Sequence, residues 1–200
     1  MAEIKVNHNY IYTKKLKLDL ISLKNNCDIM YEFIKKQFSK EEKHFSGRST
    51  MTTQLYGAYN LLLYPLDGFH ELYNEIKTMF YAVEQNHLYE KYYIQCWLNY
   101  YRKGEFIDWH SHWKPEDKSW HGFFCLDTEN SYTSYKIPNN INIIDVKSEN
   151  NLLIMNKSDG DLHKSSVWVY ADRPRITIAF DIVPRHNISY DNYINHWIPI

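Results

Sequence analysis

The chain predicts an α+β fold in which a helical N-terminal layer packs on an all-β half, and three observations carry that expectation. Its 200 residues fit one domain better than two. Apolar residues recur at helical spacing before residue 90 and at a period near two after it. Turn signals then separate short apolar runs at regular intervals, the pattern of a sandwich or jelly roll. A chain of this length buries roughly 70% of its unfolded surface, so its core needs no disulfide staples.

The first helical pattern runs from residue 14 to about 45 through Leu16, Leu18, Leu20, Ile21, Ile29, Met30, Phe33, Ile34 and Phe38. Phe33 and Phe38 are assigned to the core. Lys14, Lys15 and the Glu41-Glu42-Lys43 run are assigned to a solvated face. Residues 46–66 are mixed in character, with Gly47, Gly57 and Pro65 as breakers. A second helical pattern spans 68–88 through Leu72, Ile76, Met79, Phe80 and Val83. Strands follow at 92–101, 120–126, 132–137, 141–146, 152–155, 166–170 and 176–183. Pro138-Asn139-Asn140 and Asp159-Gly160 mark turns between them. The expected organisation is therefore a helical layer over 1–89, a β core over 90–185 and a tail over 186–200.

The hydrophobic share of 44% and charged share of 24% are those of a soluble globular protein. Lys and Arg number 23 against 24 Asp and Glu, with 10 His, so the chain has no clear nucleic-acid footprint in its bulk charge. Aromatics reach 16%, with 18 Tyr, but Tyr, Asn, Ile and Lys share AT-rich codons and the excess carries little functional weight. The N-terminus lacks the apolar region of a signal peptide, and no run approaches the roughly 18 apolar residues of a membrane span. Cys27, Cys96 and Cys125 are widely spaced, odd in number and form no CxxC pair, so they read as reduced thiols. The expected location is the cytoplasm, or the host cytoplasm for a viral protein. The sequons at Asn156 and Asn187 carry no meaning there.

Three stretches carry chemistry. In an extended segment side chains alternate, so His110 and His112 point to one side and can grip one metal ion. A third ligand must come from elsewhere; His163, which follows a Gly-Asp turn and opens a strand, is best placed. Arg175 and Thr177 also share a face, and an Arg followed two residues on by a hydroxyl makes a fork for one carboxylate. Arg173 is the rival anchor, less favoured because Thr177 falls in step with Arg175. His121 reads as a hydrogen-bonded core residue, with a pocket-lining place as its alternative, and Trp109, Trp113, Trp120 and Trp168 as packing, with lining of a substrate mouth as the alternative for some of them.

The order His-x-His, distal His, Arg-x-Thr resembles the iron(II)/2-oxoglutarate-dependent oxygenases, whose pattern is His-x-Asp, a distal His, then Arg-x-Ser/Thr on a late strand. The upstream Asn99-x-Tyr101-x-x-Gly104 spacing before His110 is similar to the AlkB-like branch. Trp97, Asn99, Gly104, His110, His112 and the stretch from Arg175 to Phe180 also resemble an uncharacterised group of such oxygenases from marine bacteria and phages. The likeness covers about residues 90–185. It implies a double-stranded β-helix (a cupin-like jelly roll) with the N-terminal helices as its support. It further implies Fe(II) as cofactor, 2-oxoglutarate and O2 as co-substrates, and a hydroxylase whose primary substrate is unidentified. On this resemblance His110, His112 and His163 hold the metal, Arg175 and Thr177 bind the far carboxylate of 2-oxoglutarate, and Asn99 and Tyr101 contact the co-substrate.

One position departs from the pattern: His112 stands where most of the family has Asp. Two His and one carboxylate leave Fe(II) at a formal charge of +1, whereas three neutral imidazoles leave it at +2. Imidazole also suits Fe, Zn, Cu and Ni alike. Asp108, Glu116 and Asp117 are the carboxylates that could take the missing place. The departure keeps two other readings open, a three-His cupin-like dioxygenase that does not use 2-oxoglutarate and a non-enzymatic β-sandwich binding or virion-associated module. Oligomeric state is not legible.

Overall fold

The computed structural model describes residues 4–7, 11–38, 50–189 and 196–200. Among these residues ten strands form two antiparallel sheets. The larger takes the order β1-β2-β7-β4-β9-β3-β10. In chain order these are β1 (Lys5–Asn7), β2 (Ile11–Lys15), β3 (Tyr92–Tyr101), β4 (Trp120–Asp127), β7 (Leu152–Lys157), β9 (Arg175–Pro184) and β10 (Ile198–Pro199). The smaller takes the order β6-β5-β8, from β5 (Ser131–Lys136), β6 (Ile143–Ser148) and β8 (Leu162–Ser165). His110 adds a single bridge on the free side of β8: its N–H reaches the His163 carbonyl at 3.1 Å, and the His163 N–H returns to the His110 carbonyl at 2.9 Å. From β3 onward the chain therefore alternates between sheets: large at β3, small at His110, large at β4, small at β5 and β6, then large, small and large again.

The centre of the large sheet is a ten-residue pairing of β3 with β9, from Tyr92 opposite Pro184 to Tyr101 opposite Arg175. Every residue of β9 is buried, as is every residue of β4. One face lies under helices and the other lines a cavity, so both faces must be dry. That explains why these strands read as near-continuous apolar runs rather than clean alternation.

Helix α1 (Leu20–Phe38) buries Leu23, Cys27, Met30, Tyr31 and Ile34, one stripe at helical spacing, against β3 and β4. A short helix, α2 (Met51–Gln54), carries Thr50 as its N-cap. Helix α3 (Phe69–Val83) buries Phe69, Leu72, Ile76, Met79 and Phe80, and the Phe80 ring meets Tyr92 at 5.0 Å and Trp120 at 6.2 Å. Gly68, at φ +88°, turns the chain into α3, and the Glu71 carboxylate accepts the Gly68 N–H at 2.9 Å.

Several local expectations give way to tertiary pairing. The first helix starts at Leu20 rather than at residue 14, because Ile11–Lys15 pair with the edge of β7. The Asp19 carboxylate then accepts the N–H groups of Ile21 and Ser22, at 3.0 and 3.2 Å, and caps the helix. Lys14 is not on a solvated face: its side chain is 10% exposed and meets Glu75 of α3 at 2.6 Å. Phe33 is 37% exposed, edging onto Phe38 and Tyr64 rather than entering the core. The end of that predicted helix, including the Glu41-Glu42-Lys43 run, lies outside the described residues.

The second helix stops at Val83, where the Glu84 carboxylate accepts from Asn86 N–H and from the Trp120 indole and turns the chain into a 3-10 turn. Residues 166–170 are not a strand. The strand is β8, just upstream, and the N–H groups of Ser166 and Trp168 bond instead to the carbonyls of Tyr132 and Glu105. The expected strand at 141–146 begins two residues later, leaving Ile141 exposed. The first 89 residues supply strands β1 and β2 as well as helices, and the C-terminal segment supplies β10.

Cys27, Cys96 and Cys125 are free and buried. Among the described residues no helix is long and apolar enough to cross a membrane.

Gly122 on β4 is a packing requirement rather than a turn. A Cβ there would stand 2.3 Å from the Ile154 carbonyl oxygen and 2.5 Å from the Phe180 ring. Gly122→Ala is therefore expected to cost about 3 kcal/mol of stability, because backbone and a buried ring must both move. Urea unfolding checks this, and a loss below about 0.5 kcal/mol, the scale of an ordinary surface substitution, would sink it.

Candidate active site

A cavity of about 410 Å³ opens between the two sheets. Its floor is the β3–β9 pair, and its opposite wall comes from the small sheet through Thr133, His163 and Ser165.

One end is built around Arg175. The pairing sets Tyr101 opposite Arg175 and Asn99 opposite Thr177, so the alternation of two neighbouring strands brings all four side chains to one face. Arg175 is 1% exposed, its guanidinium lies 4.8 Å from the Tyr101 ring centroid, and neither its Nε nor its Nη1 has a hydrogen-bond partner. No carboxylate pairs with it among the described residues. Arginine does not deprotonate in proteins, so Arg175 is a buried cation with no counter-ion among the described residues. Burial pushes the Tyr101 phenol up, with the Arg175 charge pulling it back and the Ser165 and Thr177 hydroxyls beside it, so Tyr101 is a neutral donor. The Asn99 carbonyl accepts from the Thr53 hydroxyl at 2.6 Å, and its amide donates to the Thr177 hydroxyl at 3.3 Å. Thr177 thus receives a hydrogen bond and keeps its own O–H to give. Arg173, the rival anchor, lies outside the cavity, paired with Glu129 at 3.1 Å near the surface.

Farther along, three imidazoles converge. One nitrogen each of His110, His112 and His163 lies within 4.8 Å of the others. The bridge of His110 to His163 brings the loop onto β8, and the two-residue step to His112 returns the second ring to the same side. His110 Nδ1 lies 2.7 Å from the Asp108 carbonyl, which can only accept, so Nδ1 carries the proton and Nε2 keeps its lone pair. His112 Nδ1 lies 2.6 Å from Asp181 Oδ1, which fixes the same tautomer. Burial, helped by the neighbouring His112, pushes His110 down to about 4. Burial likewise holds His163 well below the usual histidine range. For His112 burial also works downward, but the Asp181 carboxylate outweighs it and the net shift is upward. At neutral pH His110 and His163 are therefore neutral, the form that ligates a metal.

Three further residues belong to this site and were missed or undervalued in the sequence. Asp181 receives His112 and also the Trp113 indole N–H at 3.0 Å. It was legible, because it falls in step with Arg175 and Thr177 on one strand face. Asp161 was legible by the same parity, two residues before His163. Its Oδ2 accepts from Asn156 at 2.9 Å and stands 3.4 Å from His121 Nε2 and 3.7 Å from His163 Nδ1. Burial works to raise Asp161, and the two imidazoles outweigh it, holding the carboxylate well below its usual range.

His121 is buried, as expected, but it also lines the cavity. It stacks on His112 at 4.6 Å and on His163 at 4.8 Å, with Nδ1 on the Ser158 hydroxyl at 2.9 Å. His121, Asp161 and His163 form a second group whose ligand atoms lie within 4.8 Å, so His163 is common to both groups. The buried His121 Nε2 and His163 Nδ1 have no hydrogen-bond partner.

The carboxylates that might have replaced His112 are elsewhere. Asp108 accepts the Trp109 N–H, Asp117 accepts the Lys114 N–H, and Glu116 is exposed; none joins either histidine group. Of the four tryptophans read as packing, Trp120 and Trp168 are buried, Trp113 lines the cavity, and Trp109 sits under the ammonium groups of Lys136 and Lys164.

No protein-family model matches the chain, and no curated protein matches it in sequence. Solved structures do. A Pseudomonas putida prolyl-4-hydroxylase superposes with a TM-score of 0.61 at 13% identity, over 88% of this chain and 87% of that one. EvdMO1 superposes with a TM-score of 0.57 at 15% identity, over 87% of this chain but only 47% of that one, so the chain spans about half its length. An oxidoreductase of the 2OG-Fe(II) oxygenase family from Burkholderia pseudomallei aligns over 91% of this chain at 10% identity and a TM-score of 0.42. At these identities the likeness is one of architecture: the chain has an α+β fold shared, over most of its length, with a prolyl-4-hydroxylase.

Proposed function

We propose that the protein is an Fe(II)- and 2-oxoglutarate-dependent oxygenase, a hydroxylase built on a double-stranded β-helix. The observation that carries this reading is Arg175, a buried guanidinium with two unpartnered N–H groups, in the same cavity as three converging imidazoles. A planar fork of donors fits a carboxylate, and a buried cation of this kind is tolerated where an anion completes it. The far carboxylate of 2-oxoglutarate would take Arg175 together with the hydroxyls of Thr177 and Tyr101, and Asn99 would hold Thr177 in its donating orientation. His110, His112 and His163 would hold the metal, and the protonated Nδ1 positions of His110 and His112, on Asp108 and Asp181, suit that role.

Bound there, Fe(II) supplies O2 activation, coupling decarboxylation of 2-oxoglutarate to succinate with hydroxylation of a substrate C–H. The chain's own work is to anchor the dicarboxylate at Arg175 and to fix the imidazole tautomers. Alternation of successive strands between the sheets supports the double-stranded β-helix, and the prolyl-4-hydroxylase architecture agrees with it.

Anaerobic titration of the metal-stripped protein with Fe(II) and then 2-oxoglutarate tests the reading. A weak visible charge-transfer band is expected only after the second addition. Stoichiometric metal uptake without the band would replace this reading with a three-His dioxygenase that does not use 2-oxoglutarate. No uptake would leave a binding module.

A further inference from the structure

We infer that Asp181 supplies, through His112, the negative charge that a third imidazole withholds from the metal, so that Asp181 and His112 together act as one carboxylate ligand. This rests on the metal-site reading above and adds a residue to it. Replacing a carboxylate ligand by imidazole removes one negative charge from the site, and the structure puts one back directly behind the replacing ring. His112 Nδ1 and Asp181 Oδ1 are 2.6 Å apart, in the short range of charge-assisted hydrogen bonds. A carboxylate only accepts, so Nδ1 carries the proton and the lone pair of Nε2 points away from Asp181.

No lysine or arginine pairs with Asp181 among the described residues, so His112 and the Trp113 indole are its partners. Its position is rigid. Asp181 lies on a central strand, opposite Gln95 on one side and His121 on the other. His112, by contrast, sits in the loop beyond the His110 bridge, where no sheet pairing orients its ring. The next residue, Trp113, takes φ +21°, a conformation rare for a bulky side chain, and its indole is bonded to the other Asp181 oxygen at 3.0 Å. One carboxylate therefore both orients the ligand and holds the loop that bears it. Asp181 is a positioning residue in this sense, acting on the metal through His112.

The experiment is cobalt(II) titration followed by the visible d–d spectrum, with thermal unfolding as the control for folding. Asp181→Asn keeps the shape and one acceptor oxygen but removes the charge. It is expected to bind cobalt about 10- to 100-fold more weakly than wild type, with an altered spectrum. His112→Asp alone sets two carboxylates side by side and should bind no better than Asp181→Asn, whereas H112D/D181N should recover most of the lost affinity. Trp113→Phe removes the indole contact and keeps the charge, so it should retain the wild-type spectrum and affinity.

Wild-type affinity in Asp181→Asn would overturn the inference, and so would a double variant no better than its parents. A Trp113→Phe defect equal to that of Asp181→Asn would reduce Asp181 to an anchor for the loop and overturn it too. A wild-type protein that takes up no cobalt would sink the metal site itself, and this inference with it.

Discussion

Arg175→Met is expected to weaken 2-oxoglutarate binding by at least about 30-fold while making the ligand-free protein more stable. The two effects share one cause. A guanidinium 1% exposed, with two unpartnered donors and no counter-ion, costs several kcal/mol of desolvation that folding alone does not repay. Methionine fills similar space with no charge, and replacing a buried ionic group by an apolar one commonly stabilises by about 1–4 kcal/mol. Loss of the Arg175–Tyr101 ring contact returns about 1–2 kcal/mol of that gain. On the binding side, truncating one partner of a buried hydrogen-bonded charge pair costs about 2–5 kcal/mol, a drop in affinity between about 30-fold and more than 1000-fold.

Thermal unfolding with and without 2-oxoglutarate reads both. Wild type should gain about 2.7 kcal/mol at a ligand concentration 100 times its Kd, and the variant should start higher and gain less than about 0.9 kcal/mol at that concentration. A variant that starts lower and still responds to 2-oxoglutarate would mean that Arg175 is structural.

His163→Ala should remove stoichiometric metal binding, and His121→Ala should not. His163 is common to both candidate groups, so its loss leaves each with two ligands. His121 belongs only to the group containing Asp161 and stands behind His163 when the metal sits on His110, His112 and His163. Its removal should weaken metal about 10-fold, as loss of an outer-shell partner does, without changing stoichiometry. Metal content after dialysis, measured beside His110→Ala, decides between the groups. If His110→Ala keeps the metal and His121→Ala loses it, the ion belongs with His121, Asp161 and His163 instead.

How much of this was readable in the sequence depends on which interactions set each element. The apolar runs that became β3, β4 and β9 were legible because strands buried on both faces need such long runs whatever they pair with. Strand β2 was hidden, since Ile11–Lys15 has no decisive period and becomes a strand only against the edge of β7. Residues 166–170 failed in the opposite direction: their alternation is strand-like, but their N–H groups find loop carbonyls.

At the site, parity was the reliable guide. It brought His110 with His112, Asn99 with Tyr101 and Arg175 with Thr177, and carried two residues back from His163 and four on from Thr177 it would have reached Asp161 and Asp181. His121 was beyond its reach, because its place in the cavity depends on stacking against rings from two other segments.

The β3–β9 pairing has one more consequence, which concerns length. Arg175, Thr177, Ala179 and Asp181 all face the cavity from a single buried strand. At about 3.4 Å per residue, the six steps from the first to the last measure about 20 Å along its axis. The proposed anion anchor and the acid behind the proposed metal ligand are thus marks on one ruler whose pitch is set by covalent geometry. Side chains at either end can rotate, but the distance between the marks cannot adapt. On the proposed reading, a dicarboxylate spanning from Arg175 to the imidazoles would be selected by its number of carbons as much as by its charge.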